Sequence, residues 1–187
     1  MERRAATARL KALDAVSSLL LKDRKNDRAL ALVLGSFVDS VLEANIKARL
    51  RDTEHSADLF GERGPLGSFY WKIQIARMLG LITKDEAREL DLIRKVRNHF
   101  AHKLHGGTFS EAPVRQLCAE FAVFRRNLPA SKHGHPRERQ AFFLTALLFG
   151  TVLELMVPRV RVVSATKRES INEMMNIVNA IDDSDPT

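Results

Sequence analysis

Along this chain, apolar residues return every three or four positions in several separate stretches, which is the spacing of a helix with one buried face. Leu10, Leu13, Val16, Leu20 and Leu21 mark a first helix within 3–22. Asn26 and Asp27 interrupt it and supply a cap for a second helix, from Arg28 to about Arg51. Leu30, Leu34, Phe37, Val41 and Ala48 form its stripe, with Asp39 and Glu43 four apart on the other side. The stretch 52–67 is polar and reads as a loop with a short helical turn around 56–60. Residues 61–67, Gly-Glu-Arg-Gly-Pro-Leu-Gly, must turn, and their glycines are expected to supply positive φ. Ser68 caps a third helix to Leu79, which Gly80 ends. Thr83 and Glu86 are spaced as a capping box, opening a fourth helix through Leu90, Ile93, Val96 and Phe100 towards Gly106 and Gly107. A fifth helix spans 110–127 with Leu117, Phe121 and Phe124 inward, and a polar hinge follows over 128–136. The apolar run Ala141 to Val157 makes a long helix that Pro158 breaks. Arg159 to Val163 alternates briefly as extended chain does, and Ser164 onward fits a last helix with Ile171, Met174, Met175, Val178 and Ile181.

No internal repeat, low-complexity tract or second domain interrupts this series. The expected product is a single domain over 1–187, an all-α helical bundle of about six to seven helices with an acidic, mobile tail at 182–187. A chain of 187 residues can bury a real core. Its six prolines and nine glycines are few for a sandwich or barrel, which strengthens the helical reading. Cys118 is the only cysteine, so an internal disulfide is excluded, and its helical setting predicts a small buried hydrophobe. Met1 to Ala5 lacks an apolar signal core, which makes a cytoplasmic location the expectation. The run 141–157 falls short of the ~20 apolar residues that span a bilayer and contains Glu154, so a helix buried centrally or between subunits is expected, and no membrane partner. The net charge of +7 would draw nucleic acid or an acidic partner, but it is spread along the chain and reverses at Asp182, Asp183 and Asp185.

Other residues with chemical potential have ordinary explanations. His99, His102 and His105 are spaced by three, and His133 and His135 fall in the hinge, yet no spacing matches a metal motif. No cofactor or metal is therefore expected. Tyr70 and Trp71 follow the turn and are expected to pack in the core rather than line a pocket. The Gly-Pro-Leu-Gly turn lacks the glycine spacing and lysine of a phosphate cradle. Arg125-Arg126 and Lys167-Arg168 read as solvated basic faces, and no serine or cysteine lies in a nucleophile motif.

Two neighbouring stretches carry more. The first runs from Asp58 through Gly-Pro-Leu-Gly-Ser and Phe-Tyr-Trp-Lys-Ile-Gln-Ile-Ala-Arg-Met to Leu-Gly-Leu-Ile82. The second is Leu90-Asp-Leu-Ile-Arg-Lys-Val-Arg-Asn-His-Phe-Ala-His102. Together, over roughly 28–124, they resemble the mannitol-operon-repressor family. The resemblance implies a small all-helical regulator of sugar-alcohol uptake genes that lacks a standard DNA-reading helix-turn-helix. The second stretch also resembles HEPN domains, whose ribonuclease members carry Arg, four to six residues, then His. Arg97 and His102 match with four between, and Asn98 follows the arginine as it often does there. That resemblance implies a metal-independent ribonuclease, with His102 as general acid or base, Arg97 stabilising the phosphorane and Asn98 orienting the phosphate.

Helix geometry gives the same residues a structural reading. Leu90, Ile93, Arg97, Phe100 and Leu104 share one stripe, so Arg97 falls in an apolar seam. A guanidinium left unpaired there costs about 3–5 kcal/mol, so Asp39, Glu43 or a second subunit is expected to supply an acid. Arg94, Asn98 and His102 share a different face, and Arg97 and His102 diverge unless the helix bends or ends near Asn98. The expected partners are accordingly a homodimer or higher oligomer and a regulatory protein, with nucleic acid as an alternative.

Overall fold

The computed structural model describes residues 26–50, 56–61, 63–103, 106–125, 128 and 134–157. Among them the chain forms seven helices and no strand: α1 (Asp27–Arg49), α2 (Ser56–Phe60), α3 (Phe69–Met78), α4 (Lys84–His102), α5 (Ala112–Ala119), α6 (Ala122–Arg125) and α7 (Arg137–Met156). The molecule is an all-α bundle. The helices expected at 3–22 and from Ser164, the extended strip at 159–163 and most of the hinge lie outside the described residues.

Local chemistry sets the starts of the helices. Asn26 Oδ1 accepts the Ala29 N–H at 3.0 Å, which satisfies one of the free donors of the first turn of α1. Ser68 Oγ does the same for α3 by accepting the Trp71 N–H. At α4 the capping box is complete: Thr83 Oγ1 accepts the Glu86 N–H, and Glu86 Oε2 accepts the Thr83 N–H at 2.6 Å. The α3 end is a Schellman closure in which Gly80 N donates to Arg77 O and Leu81 N to Ala76 O, with Gly80 at φ 68.

The 61–67 turn departs from expectation. None of Gly61, Gly64 and Gly67 has positive φ. Gly64 is needed for another reason, since a Cβ there would collide with the carbonyls of Asp58 and Leu59 as the chain folds back onto α2. The expected fifth helix is two helices. The chain breaks at Glu120–Phe121, and the freed Ala122 N–H donates to the Glu89 carboxylate of α4 at 3.2 Å.

The long apolar helices α1 and α7 pack together at the centre. Arg139 Nε donates to Asp27 Oδ1 at 2.8 Å near their starts, Phe37 lies over Gly150 in the middle, and Asn45 Nδ2 donates to Leu153 O at 2.9 Å near their ends. The two therefore run in the same direction, and α2 to α6 make the crossover that parallel neighbours require. Both are long and apolar enough to cross a membrane, and half of each lies inside the bundle. Glu154 is fully buried, Arg139 is 1% exposed, and Asp27 Oδ2 also accepts the Phe109 N–H. Around this pair, Leu30, Leu34, Leu42, Ile46, Leu90, Ile93 and Val96 are sealed from solvent, each contributing about 1.5–3 kcal/mol by burial. A run of rings, Phe100, Phe109, Phe142 and Phe121, joins α4, the loop before α5 and α7 at centroid separations of 5.0, 5.4 and 6.5 Å. Cys118 is fully buried, as its helical setting implied, and burial pushes its thiol far above the usual range.

Candidate functional site

The capping box fixes the phase of α4, so Leu90, Ile93, Val96 and Phe100 turn inward and Arg97 follows on the edge facing α1. Its stem lies against Gly35, where an added Cβ would stand 2.7 Å from both Cβ and Cγ of Arg97. Glycine in mid-helix costs about 0.5–1 kcal/mol, and here it lets α4 approach α1 with an arginine between them. Arg97 is half-buried, its Nε is enclosed with no hydrogen-bond partner, and Nη1 donates to Asn98 Oδ1 at 3.0 Å.

The acids expected to pair with Arg97 are engaged elsewhere. Lys72 of α3 reaches Asp39 Oδ1 at 2.9 Å and Glu43 Oε2 at 2.8 Å, and Lys47 also binds Glu43 at 2.6 Å. Among the described residues Arg97 forms no ion pair. The cause lies in α3, whose inward stripe is Phe69, Lys72, Ile73 and Ala76, so a lysine rather than an arginine enters the seam beside the acids. Burial alone would push the Lys72 ammonium down, but its bonds to Glu43 and Asp39 hold it above the usual lysine range. Burial likewise opposes ionisation of Glu43, and Lys47 and Lys72 outweigh it. The phase of Lys72, three after Phe69 and four before Ala76, was the signal for its burial.

The structure brings Arg97 and Asn98 together but leaves His102 apart. Helix α4 runs unbroken to His102, so the five residues from Arg97 turn the side chain by about 140° around the axis. His102 is exposed at the last helical position. Asn98 and His102 share their face with Arg94, whose guanidinium binds Asp91 at 2.7 Å and lies 5.5 Å from the Tyr70 ring. Lys95 binds the second Asp91 oxygen at 3.0 Å, and these two cations hold that carboxyl below its usual range against the opposing effect of burial.

The histidine that is engaged is His99, one turn before. Its Nε2 lies 3.2 Å from Glu111 Oε2, the same oxygen binds Lys103, and Oε1 accepts the Thr108 N–H at 3.2 Å. Glu111 thus ties the end of α4 to the start of α5. Lys103 and then His99 bring its carboxyl down to about 2.

A second surface was misjudged from sequence. Tyr70 and Trp71, expected in the core, are 43% and 54% exposed, and Met78 is 81% exposed. The inward places on α3 are taken by Phe69, Lys72, Ile73 and Ala76, so the helical period turns these three outward. Trp71, Ile75 and Met78, at i, i+4 and i+7, form an apolar strip, and Tyr70, Arg77 and the Arg94 guanidinium lie along one edge. Comparison with family models, with curated proteins and with solved structures gives no match to this chain.

Proposed function

We propose that this protein is a transcriptional regulator of the mannitol-operon-repressor type that acts through protein–protein contact. One observation carries the reading. The stretch 58–82, one of the two on which the resemblance rests, spans the end of α2, a turn and α3, and it offers Tyr70, Trp71 and Met78 to the outside. Exposed aromatic and methionine side chains grouped on one helix are the composition of contact surfaces, where a few such residues carry most of the binding energy. The partner in this reading is a regulatory protein met in a helical oligomer. The test is to delete the gene in its native host and quantify transcripts of sugar-alcohol uptake genes, alongside gel shifts on their promoters. Raised transcripts without a direct DNA shift support contact-mediated repression; unchanged transcripts refute the assignment.

A second reading draws on the unpartnered Nε of Arg97 and its bond to Asn98. A half-buried guanidinium with one donor short of an acceptor suits a phosphate, which fits a HEPN-type ribonuclease only if a second copy brings its own His102 to the first copy's Arg97. Cleavage of single-stranded RNA in the presence of chelator, lost in His102→Ala, would support that activity. Equal or absent cleavage in both proteins would remove it.

A further inference from the structure

We infer that the α3 face is a self-docking site, and that its occupant is the chain's own segment 169–185. This deepens the contact reading above and rests on α3 being an interaction surface; it adds how that surface is controlled. The chain as a whole carries +7, yet residues 169–187 hold five carboxylates and no lysine, arginine or histidine. No other stretch reverses the sign so completely. Within it Ile171, Met174, Met175, Val178 and Ile181 recur at helical spacing, leading to Asp182, Asp183 and Asp185. The segment thus combines a methionine-rich apolar stripe with an acidic end.

The α3 face has the matching composition. Trp71 and Met78 stand out from the bundle at 54% and 81% exposure, Arg77 is exposed two turns after Tyr70 on the same helix, and Arg94, already bound to Asp91, lies against the Tyr70 ring. Methionine and tryptophan adapt to one another without strict shape matching, while the acids and arginines set direction. Reach is no obstacle. α7 closes at Met156, next to Leu153, whose carbonyl accepts from Asn45 of α1, and Lys72 of α3 binds Asp39 and Glu43 on the same part of α1. The dozen residues up to 169, which can extend by about 40 Å, thus start beside the stretch of α1 on which α3 packs. A tethered segment also acts at high effective concentration, so modest contacts suffice. Docked there, it competes with any partner for the same side chains, and a partner must displace it.

Trp71 is the only tryptophan, so its fluorescence reports the site directly in the full chain. The triple variant Asp182→Lys, Asp183→Lys, Asp185→Lys and, separately, the double variant Met174→Glu, Met175→Glu are each compared with wild type, with far-UV circular dichroism recording helix content. The expected result is a red-shifted Trp71 emission and stronger acrylamide quenching in both variants. Raised salt should move the wild type the same way, and wild-type protection should persist on dilution. Combining Arg77→Glu with the triple lysine variant should restore protection. Identical emission and quenching in all proteins would overturn the inference. So would protection that disappears on dilution, which would place a second copy on the face. Neither outcome bears on the transcript experiment, because no partner is present in this one.

Discussion

Gly35 and Arg97 fill a single contact between α1 and α4, and the two residues give opposite predictions. Gly35→Ala places a methyl group 2.7 Å from the Arg97 stem, so the helices must separate or the arginine must shift, at about 1–3 kcal/mol. Urea denaturation should show a lower midpoint with little change in slope. Arg97→Met keeps most of the stem and removes the enclosed, unpartnered Nε, leaving only the Asn98 hydrogen bond to lose. Stability should then stay within about 1 kcal/mol of wild type or rise, since an enclosed donor without an acceptor is a cost. A large loss in Arg97→Met would show that the guanidinium is held by something the bundle needs. The ribonuclease reading makes its own prediction at this scale: His102 is exposed, so His102→Ala should leave the fold unchanged while any RNA cleavage disappears.

At the scale of elements, the corner between α4 and α5 is a carboxylate clamp. Glu111 has a usual value of 4.5 and is brought to about 2 in the folded chain, first by Lys103 and then by His99. A depressed acid adds stability that is full above its unfolded value and is lost as pH falls through the folded one. Protection of the Thr108 amide against hydrogen exchange should therefore hold down to about pH 4.5 and fade towards about pH 2. In Glu111→Gln that step should be absent. Much of the element plan was legible because its signals are local: Asn26, Ser68 and Thr83 cap the helices that the sequence assigned to them. The break between α5 and α6 was not, because it depends on Glu89 from a distant turn accepting the Ala122 N–H. Periodicity placed Arg97 in the seam but could not say that Lys72 would reach Asp39 and Glu43. That choice belongs to the packing of α3 on α1.

For the whole molecule, the parallel pair of α1 and α7 forms the frame, and the outward side of α3 exposes Tyr70, Trp71 and Met78. Two residues of that surface were read from sequence as core, because an aromatic at helical spacing is normally buried; here Phe69 and Ile73 occupy the inward places first. The reading of this protein as a contact-dependent regulator turns on those side chains. It is tested most directly by measuring sugar-alcohol uptake transcripts in native cells carrying Trp71→Ser with Met78→Ser in place of the wild type. Both positions are outside the core, so the denaturation midpoint should stay near that of the wild type. Transcripts as high as in the deletion strain are expected. A stable double variant that represses as fully as wild type would contradict it.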